Sequence, residues 1–120
     1  MNILVIDDDS AVRKFIGVTL KKAEHTVFEA ENGKSGLEFL KGRPEIDLVI
    51  TDLIMPEKEG IETIMEIRRQ YPSIKIIAIS GGGKVGPDNY LVLADALGAH
   101  TTLKKPFSGQ ELLMSLNLLQ

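Results

Sequence analysis

Cysteine is absent from the 120 residues, which excludes a disulfide framework and any thiolate-ligated metal. No apolar run approaches the ~18 residues that a membrane-spanning helix requires. The opening Met1-Asn2-Ile3-Leu4 lacks the basic, apolar and small-residue regions of a signal peptide. Together these absences favour the cytoplasm. There is no excess of basic charge either. The net charge of -3 argues against nonspecific attraction to nucleic acid or anionic lipid, and leaves a local charged partner patch open. Linkers, low-complexity segments and a helix-turn-helix pattern are all missing, so any transcriptional role would need a second domain. What is present, 43% apolar and 26% charged, suits one globular domain over residues 1–120 and leaves no room for two.

The chain alternates apolar runs with amphipathic stretches. Ile3-Leu4-Val5-Ile6 has the pattern of a strand buried on both faces, and Asp7-Asp8-Asp9 stops it. Ser10 predicts an N-cap for a helix over about 11–22, with Asp9 the other candidate. Val12, Phe15, Ile16 and Leu20 fall on one face of it, and Arg13, Lys14, Lys21 and Lys22 most simply form its solvated face. A more polar strand is expected over 26–30. After Asn32-Gly33 comes a short helix carrying Leu37, Phe39 and Leu40, closed by Pro44. The third strand, Leu48-Val49-Ile50-Thr51, ends in Asp52, and Pro56 then marks a loop. A helix over 60–70 presents Ile61, Ile64, Met65 and Ile67, with Pro72 just beyond. The fourth strand, over 74–79, ends at Ser80 and opens into a glycine-rich loop at 81–87. Asp88 can cap a helix to Leu97, with Gly98 as its left-handed stop. A mixed fifth strand follows over 100–104, then Lys105-Pro106-Phe107. Ser108-Gly109-Gln110-Glu111 has capping-box spacing for a last helix that turns Leu112, Leu113, Leu116 and Leu119 to the core.

Five strand–helix units in strict alternation imply an α/β fold, a doubly wound parallel sheet with helices on both faces. The first, third and fourth strands are the most apolar and belong at the centre, with the second and fifth at the edges. The order 2-1-3-4-5, flavodoxin-like, meets this condition and makes strands one and three neighbours. In such sheets the ligand crevice lies outside the carboxyl ends of the strands, where the strand order reverses. Asp7, Asp8 and Asp52 would share that crevice. Crowded carboxylates raise one another's pKa, and a bound cation is the usual compensation. Oxygen-only ligands favour Mg²⁺ or Mn²⁺ over zinc. Ser80 offers a hydroxyl and Lys105 a mobile positive charge. Each group alone has a plain explanation: solvated acid or N-cap, turn serine, surface lysine. Gathered on one sheet edge, they suit holding a phosphoryl group on Asp52.

Over essentially its whole length the sequence resembles the receiver domains of two-component response regulators. The resemblance rests on Ile3-Leu4-Val5-Ile6-Asp7-Asp8, on Leu48-Val49-Ile50-Thr51-Asp52-Leu53-Ile54-Met55-Pro56 with Gly60, on Ser80-Gly81, on Gly98-Ala99 and on Lys105-Pro106-Phe107. It implies that Asp52 accepts a phosphoryl group from a histidine kinase or phosphotransfer protein. It implies that Asp7, Asp8 and Asp52 bind Mg²⁺, with Mn²⁺ as a substitute and the backbone carbonyl of Ile54 as a further ligand. Ser80 is similar to the hydroxyl residue that contacts the phosphoryl oxygen, with the Gly81 N–H assisting, and Lys105 to the lysine that pairs with the same group. A cis Lys105–Pro106 bond is implied as well. Such a domain is a signalling phosphoacceptor that assists its own phosphorylation and dephosphorylation. It switches binding to a downstream protein, here unidentified, and touches neither nucleic acid nor membrane. The resemblance leaves room for a dimer through the helix at 88–97, the fifth strand and the last helix. It fits a stand-alone receiver as well as the front of a longer regulator.

Two departures bear on the switch residues Ser80, Gly81 and Thr102. The family often carries an aromatic residue three positions before the lysine, where this chain has Thr102. The loop after Ser80 is unusually rich in glycine. Ordering that loop would cost more backbone entropy than usual, so the switch is expected to rely on 81–87 more than on an aromatic rotamer.

Other readings fit less well. Gly81-Gly82-Gly83-Lys84-Val85-Gly86 matches a dinucleotide fingerprint, but the next strand ends in Lys104-Lys105 where that fold needs an acid. Val85 after Lys84 excludes a Walker A loop. Asp7-Asp8-Asp9 contains the Asp-x-Asp of haloacid-dehalogenase-type phosphohydrolases, but Ala11 breaks that pattern and Asp52 is left without a task. A flavodoxin-like flavin site would place phosphate against three acids. A degenerate receiver that only binds partners is opposed by the intact acids and lysine, and Thr102 keeps it open.

Overall fold

In a computed structural model that describes residues 1–53, 60–81 and 97–120, five strands form one parallel sheet. They are β1 (Asn2–Ile6), β2 (Thr26–Ala30), β3 (Leu48–Asp52), β4 (Lys75–Ser80) and β5 (Thr101–Lys104), in the order β2-β1-β3-β4-β5. This is the doubly wound order expected from strand polarity. Every residue of β3 is buried, whereas β2 and β5 each keep exposed positions, as edge strands do. Ile6 lies beside Thr51, Asp52 beside Ile79, and Ser80 beside Lys104. The register therefore brings the carboxyl ends of β1, β3, β4 and β5 to one edge.

Side-chain alternation divides the core in two. Leu4, Val49, Ile76 and Ala78 face one side, where α2 (Gly33–Leu40) and α3 (Gly60–Gln70) contribute Leu40, Ile64 and Ile67. Ile3, Val5, Leu48, Ile50, Ile77 and Ile79 face the other. There α1 (Ser10–Lys22) contributes Ile16 and Leu20, and the C-terminal helix (Gly109–Asn117) contributes Leu112 and Leu116. Leu113 and Leu119 pack at the margin of this second core. Phe15 and Met65, among the apolar residues of their helices, are 44% and 51% exposed. Phe15 instead leans on Phe107, ring centroids 6.0 Å apart.

Helix ends follow local chemistry. The cap of α1 is Asp9, not Ser10: its carboxylate accepts from the Ala11 and Val12 amides, and Ser10 becomes the first helical residue. Asn32 caps α2, and Ser108 with Glu111 forms the reciprocal capping box. Gly98 has φ +109°, the left-handed geometry expected of it. Residues 88–96 of the helix expected over 88–97, most of the 81–87 loop and the Ile54 carbonyl lie outside the described residues.

Candidate functional site

The crevice outside β1 and β3 is built by strand ends. Asp7 follows the last residue of β1, and Asp52 is the last residue of β3. Both are nearly excluded from solvent, at 1% and 6% exposure, whereas Asp8 is exposed. One carboxylate oxygen from each of Asp7, Asp8 and Asp52 lies within 4.8 Å of the others. At the neighbouring strand ends, Ser80 is fully buried, and Lys105 reaches back from beyond β5. The Lys105 ammonium sits 3.3 Å from Asp52 Oδ2 and 3.3 Å from Asp7 Oδ2. It donates a hydrogen bond to Asp52, while its approach to Asp7 is an ion pair without hydrogen-bond alignment.

Backbone approach fixes these positions. A side chain at Gly60 would run into the Asp52 carbonyl and Leu53, so only glycine lets α3 begin against the end of β3. A side chain at Gly81 would occupy the space of the Lys105 stem. The Lys105 N–H donates to the Ser80 carbonyl at 2.8 Å, extending the β4–β5 ladder to the lysine itself. The Lys105–Pro106 bond is cis.

The electrostatics differ from simple crowding. Burial is the main reason that Asp7 rises from an ordinary 3.8 to about 6. The Asp9 amide, donating to Asp7 Oδ1 at 2.9 Å, opposes the rise; Asp52 adds to it, and Lys105 opposes it again. Mutual repulsion, expected to be the cause, is thus the lesser contribution. Burial draws Lys105 down, but Asp52 and Asp7 outweigh it and hold the ammonium above its ordinary value. Among the described residues, Asp7 Oδ2 and Ser80 Oγ are buried without a hydrogen-bond partner. A buried polar atom without an aligned hydrogen bond is costly, and both atoms belong to the crevice lining, Asp7 Oδ2 with only the Lys105 ion pair beside it. Three carboxylates with oxygen donors only, one of them holding an unsatisfied buried oxygen, fit a hard divalent cation such as Mg²⁺.

The sequence left Asp9 as one of two candidate caps and missed the role of Arg13. Asp9 is the cap of α1, and its amide also steadies the Asp7 carboxylate. Arg13 does not join a solvated face: its side chain is 17% exposed, and its Nη1 donates to the Asp7 carbonyl at 2.6 Å. The signal for Asp9 was its place one residue before Ser10. For Arg13, one helical turn past the acids, sequence alone offered only spacing. Thr102 is half-buried beside Ala78 in the β4–β5 pair.

This sheet, with acids at the end of β1, an aspartate at the end of β3 and a lysine beyond β5, defines a receiver-type signalling module. The response regulator receiver domain model matches residues 3–117, and the chain belongs to that family. It is 34% identical to a Chemotaxis protein CheY homolog of Campylobacter jejuni, covering 93% of this chain and 86% of that protein. It is 36% identical to the response regulator receiver protein CpdR of Brucella abortus, covering 92% and 88%. It also matches the transcriptional regulatory protein GlrR of Escherichia coli at 35% identity, and there it spans 23% of the longer protein's length. Among solved structures, a response regulator receiver domain protein from Clostridium thermocellum superposes with a TM-score of 0.89 at 32% identity, covering 98% of this chain and 92% of that one. No helix among the described residues is long and apolar enough to cross a membrane.

Proposed function

We propose that residues 1–120 act as one phosphoacceptor receiver domain, and that Asp52 takes a phosphoryl group from a histidine kinase or phosphotransfer protein. The observation that carries this reading is the placement of Asp52: nearly buried, at the end of the central strand, 3.3 Å from the Lys105 ammonium and beside two further acids. An Asp52 carboxylate oxygen forms the new bond to phosphorus. The bond from phosphorus to the donor's imidazole nitrogen breaks, and that nitrogen leaves with the electron pair and takes a proton. Lys105 neutralises charge on the phosphoryl oxygens as they arrive. The unpaired Ser80 hydroxyl and the Gly81 N–H are the donors for another of those oxygens. Asp7, Asp8 and Asp52 would hold Mg²⁺, with Mn²⁺ as a substitute and the Ile54 carbonyl as a further ligand. A bound divalent ion supplies charge neutralisation between the carboxylates and the incoming phosphoryl group.

The output is a change in binding to a downstream protein. Ser80, Gly81, Thr102 and the 81–87 loop form the switch, since Thr102 is too small to stand in for the aromatic rotamer that the family often uses at that position. The domain assists its own phosphorylation and dephosphorylation, works in the cytoplasm, and contacts neither nucleic acid nor membrane. A dimer through the 88–97 segment, β5 and the C-terminal helix belongs to the same reading. Intact-mass measurement with acetyl phosphate, with and without Mg²⁺, tests the proposal. One added phosphate that requires the metal and disappears in Asp52→Asn supports it. Equal labelling of the Asn variant, or turnover of small phosphate esters, would overturn it in favour of another acceptor or a phosphohydrolase.

A further inference from the structure

Asp7 and Asp8 sit in the turn between β1 and α1, and the strand ladder stops before them. The Asp7 N–H still pairs with the Ala30 carbonyl, the last strand-type contact. Beyond it, the turn is tied from the side by Arg13. The Arg13 Nη1 donates to the Asp7 carbonyl at 2.6 Å, and its Nε donates to Glu29 Oε1 at 3.1 Å. Glu29 lies on β2, so one guanidinium joins α1, the acidic turn and the neighbouring edge strand. With 17% of its side chain exposed, Arg13 is held in place and not a mobile surface charge. A planar guanidinium can donate in two fixed directions at once; an ammonium on a flexible stem cannot hold both acceptors in that geometry.

We infer that Arg13 is a positioning residue for the acidic pair: it clamps the Asp7 carbonyl against Glu29 and so sets the direction in which Asp7 and Asp8 present their oxygens to a divalent cation. The inference rests on the reading of Asp7, Asp8 and Asp52 as a Mg²⁺ site. The contacts of Arg13 are with the Asp7 carbonyl and Glu29, so it acts through the turn. Groups that orient metal ligands without touching the metal typically set affinity by about 10–100-fold. A backbone clamp belongs at the low end of that range.

The sign of the effect separates positioning from simple charge. If Arg13 mattered only as a nearby cation, removing it would lessen repulsion and tighten Mg²⁺ binding. If it positions the turn, removing it weakens binding. The test is calorimetric titration with Mg²⁺ alone, alongside amide NMR of the metal-free protein. Arg13→Ala is expected to weaken Mg²⁺ binding about tenfold. Arg13→Lys, which keeps the charge and loses the fork, is expected to weaken it comparably and to move the Asp8 and Asp9 amide signals without metal. Glu29→Gln keeps an acceptor for Nε and is expected to bind like wild type. If Arg13→Ala does not fold, Arg13→Lys and Glu29→Ala carry the comparison. Wild-type or tighter Mg²⁺ binding in the Arg13 variants, or unmoved turn amides in Arg13→Lys, would overturn the inference and leave the metal site standing. A wild-type protein that binds no Mg²⁺ would overturn the metal site and the role of Arg13 together.

Discussion

Replacing Asp7 with Asn should make the metal-free protein more stable, although it removes a residue of the functional site. Asp7 is 1% exposed, and burial is the main reason its carboxyl rises from 3.8 to about 6. At ~1.36 kcal/mol per pH unit, the ionised side chain opposes folding by at most about 3 kcal/mol at pH 7. That figure already includes the attraction of Lys105; the Asn amide sets an N–H donor beside the same ammonium, so the expected net gain is about 1–2 kcal/mol. The sign follows from proton uptake. Above pH 6 both folded and unfolded Asp7 are ionised, and the folded state bears the whole cost. Between about 6 and 3.8 the folded state binds the proton first, so the wild-type protein recovers stability relative to the variant as pH falls. Urea unfolding of both proteins in chelator, at pH 7.5, 6 and about 4.5, measures the difference directly. The variant's advantage should be largest at pH 7.5 and shrink steadily toward pH 4.5. A variant less stable than wild type at pH 7.5, or an advantage that does not change with pH, would refute the claim that a buried ionised Asp7 strains the fold.

Lys105→Met should have the opposite effect. It removes the cation lying 3.3 Å from both Asp7 and Asp52, and should cost about 1–2 kcal/mol without metal. The cost is below that of a fully buried pair because the Lys105 side chain is 26% exposed. Millimolar-scale Mg²⁺ should recover part of the lost melting temperature by binding the same carboxylates; a variant as stable as wild type in chelator would contradict the pairing. Adding beryllofluoride, a stable phosphoryl mimic, should produce new amide protection over 81–97 with little change confined to β5. Equal protection in both states, or a Thr102→Tyr variant whose phosphorylation-dependent partner binding runs through β5 alone, would exclude a loop-based switch.

The fold was legible because strand burial is written in composition. Ile3 to Ile6 and Leu48 to Ile50 are apolar without interruption, and only central positions in a doubly wound sheet bury both faces of such strands. That pattern supported the order 2-1-3-4-5 without proving it, and the observed order brings Asp7, Asp8 and Asp52 together. Less legible was what happens within one turn of the strand ends. Asp9 and Ser10 are equivalent as caps in sequence, and the choice depends on how the chain leaves β1. Arg13 looks like any basic residue on an amphipathic helix until the turn places a carbonyl and Glu29 on either side of its guanidinium. Phe15 has helical spacing for the core, but the sheet is already covered by Ile16 and Leu20, and the ring is left against Phe107. The dominance of burial over mutual repulsion at Asp7 likewise depends on packing that no spacing rule conveys.

The most direct measurement of the central claim is chemical. The protein is loaded from acetyl phosphate with Mg²⁺ and treated at once with borohydride, which reduces an acyl phosphate to the alcohol as phosphate leaves. Peptide sequencing by mass spectrometry then locates the reduced aspartate. We expect the mark on Asp52 alone, with Asp7, Asp8 and Asp9 unmodified. A mark on any of those three acids, or phosphate retained without any reducible carboxyl, would contradict the assignment of Asp52 as the acceptor.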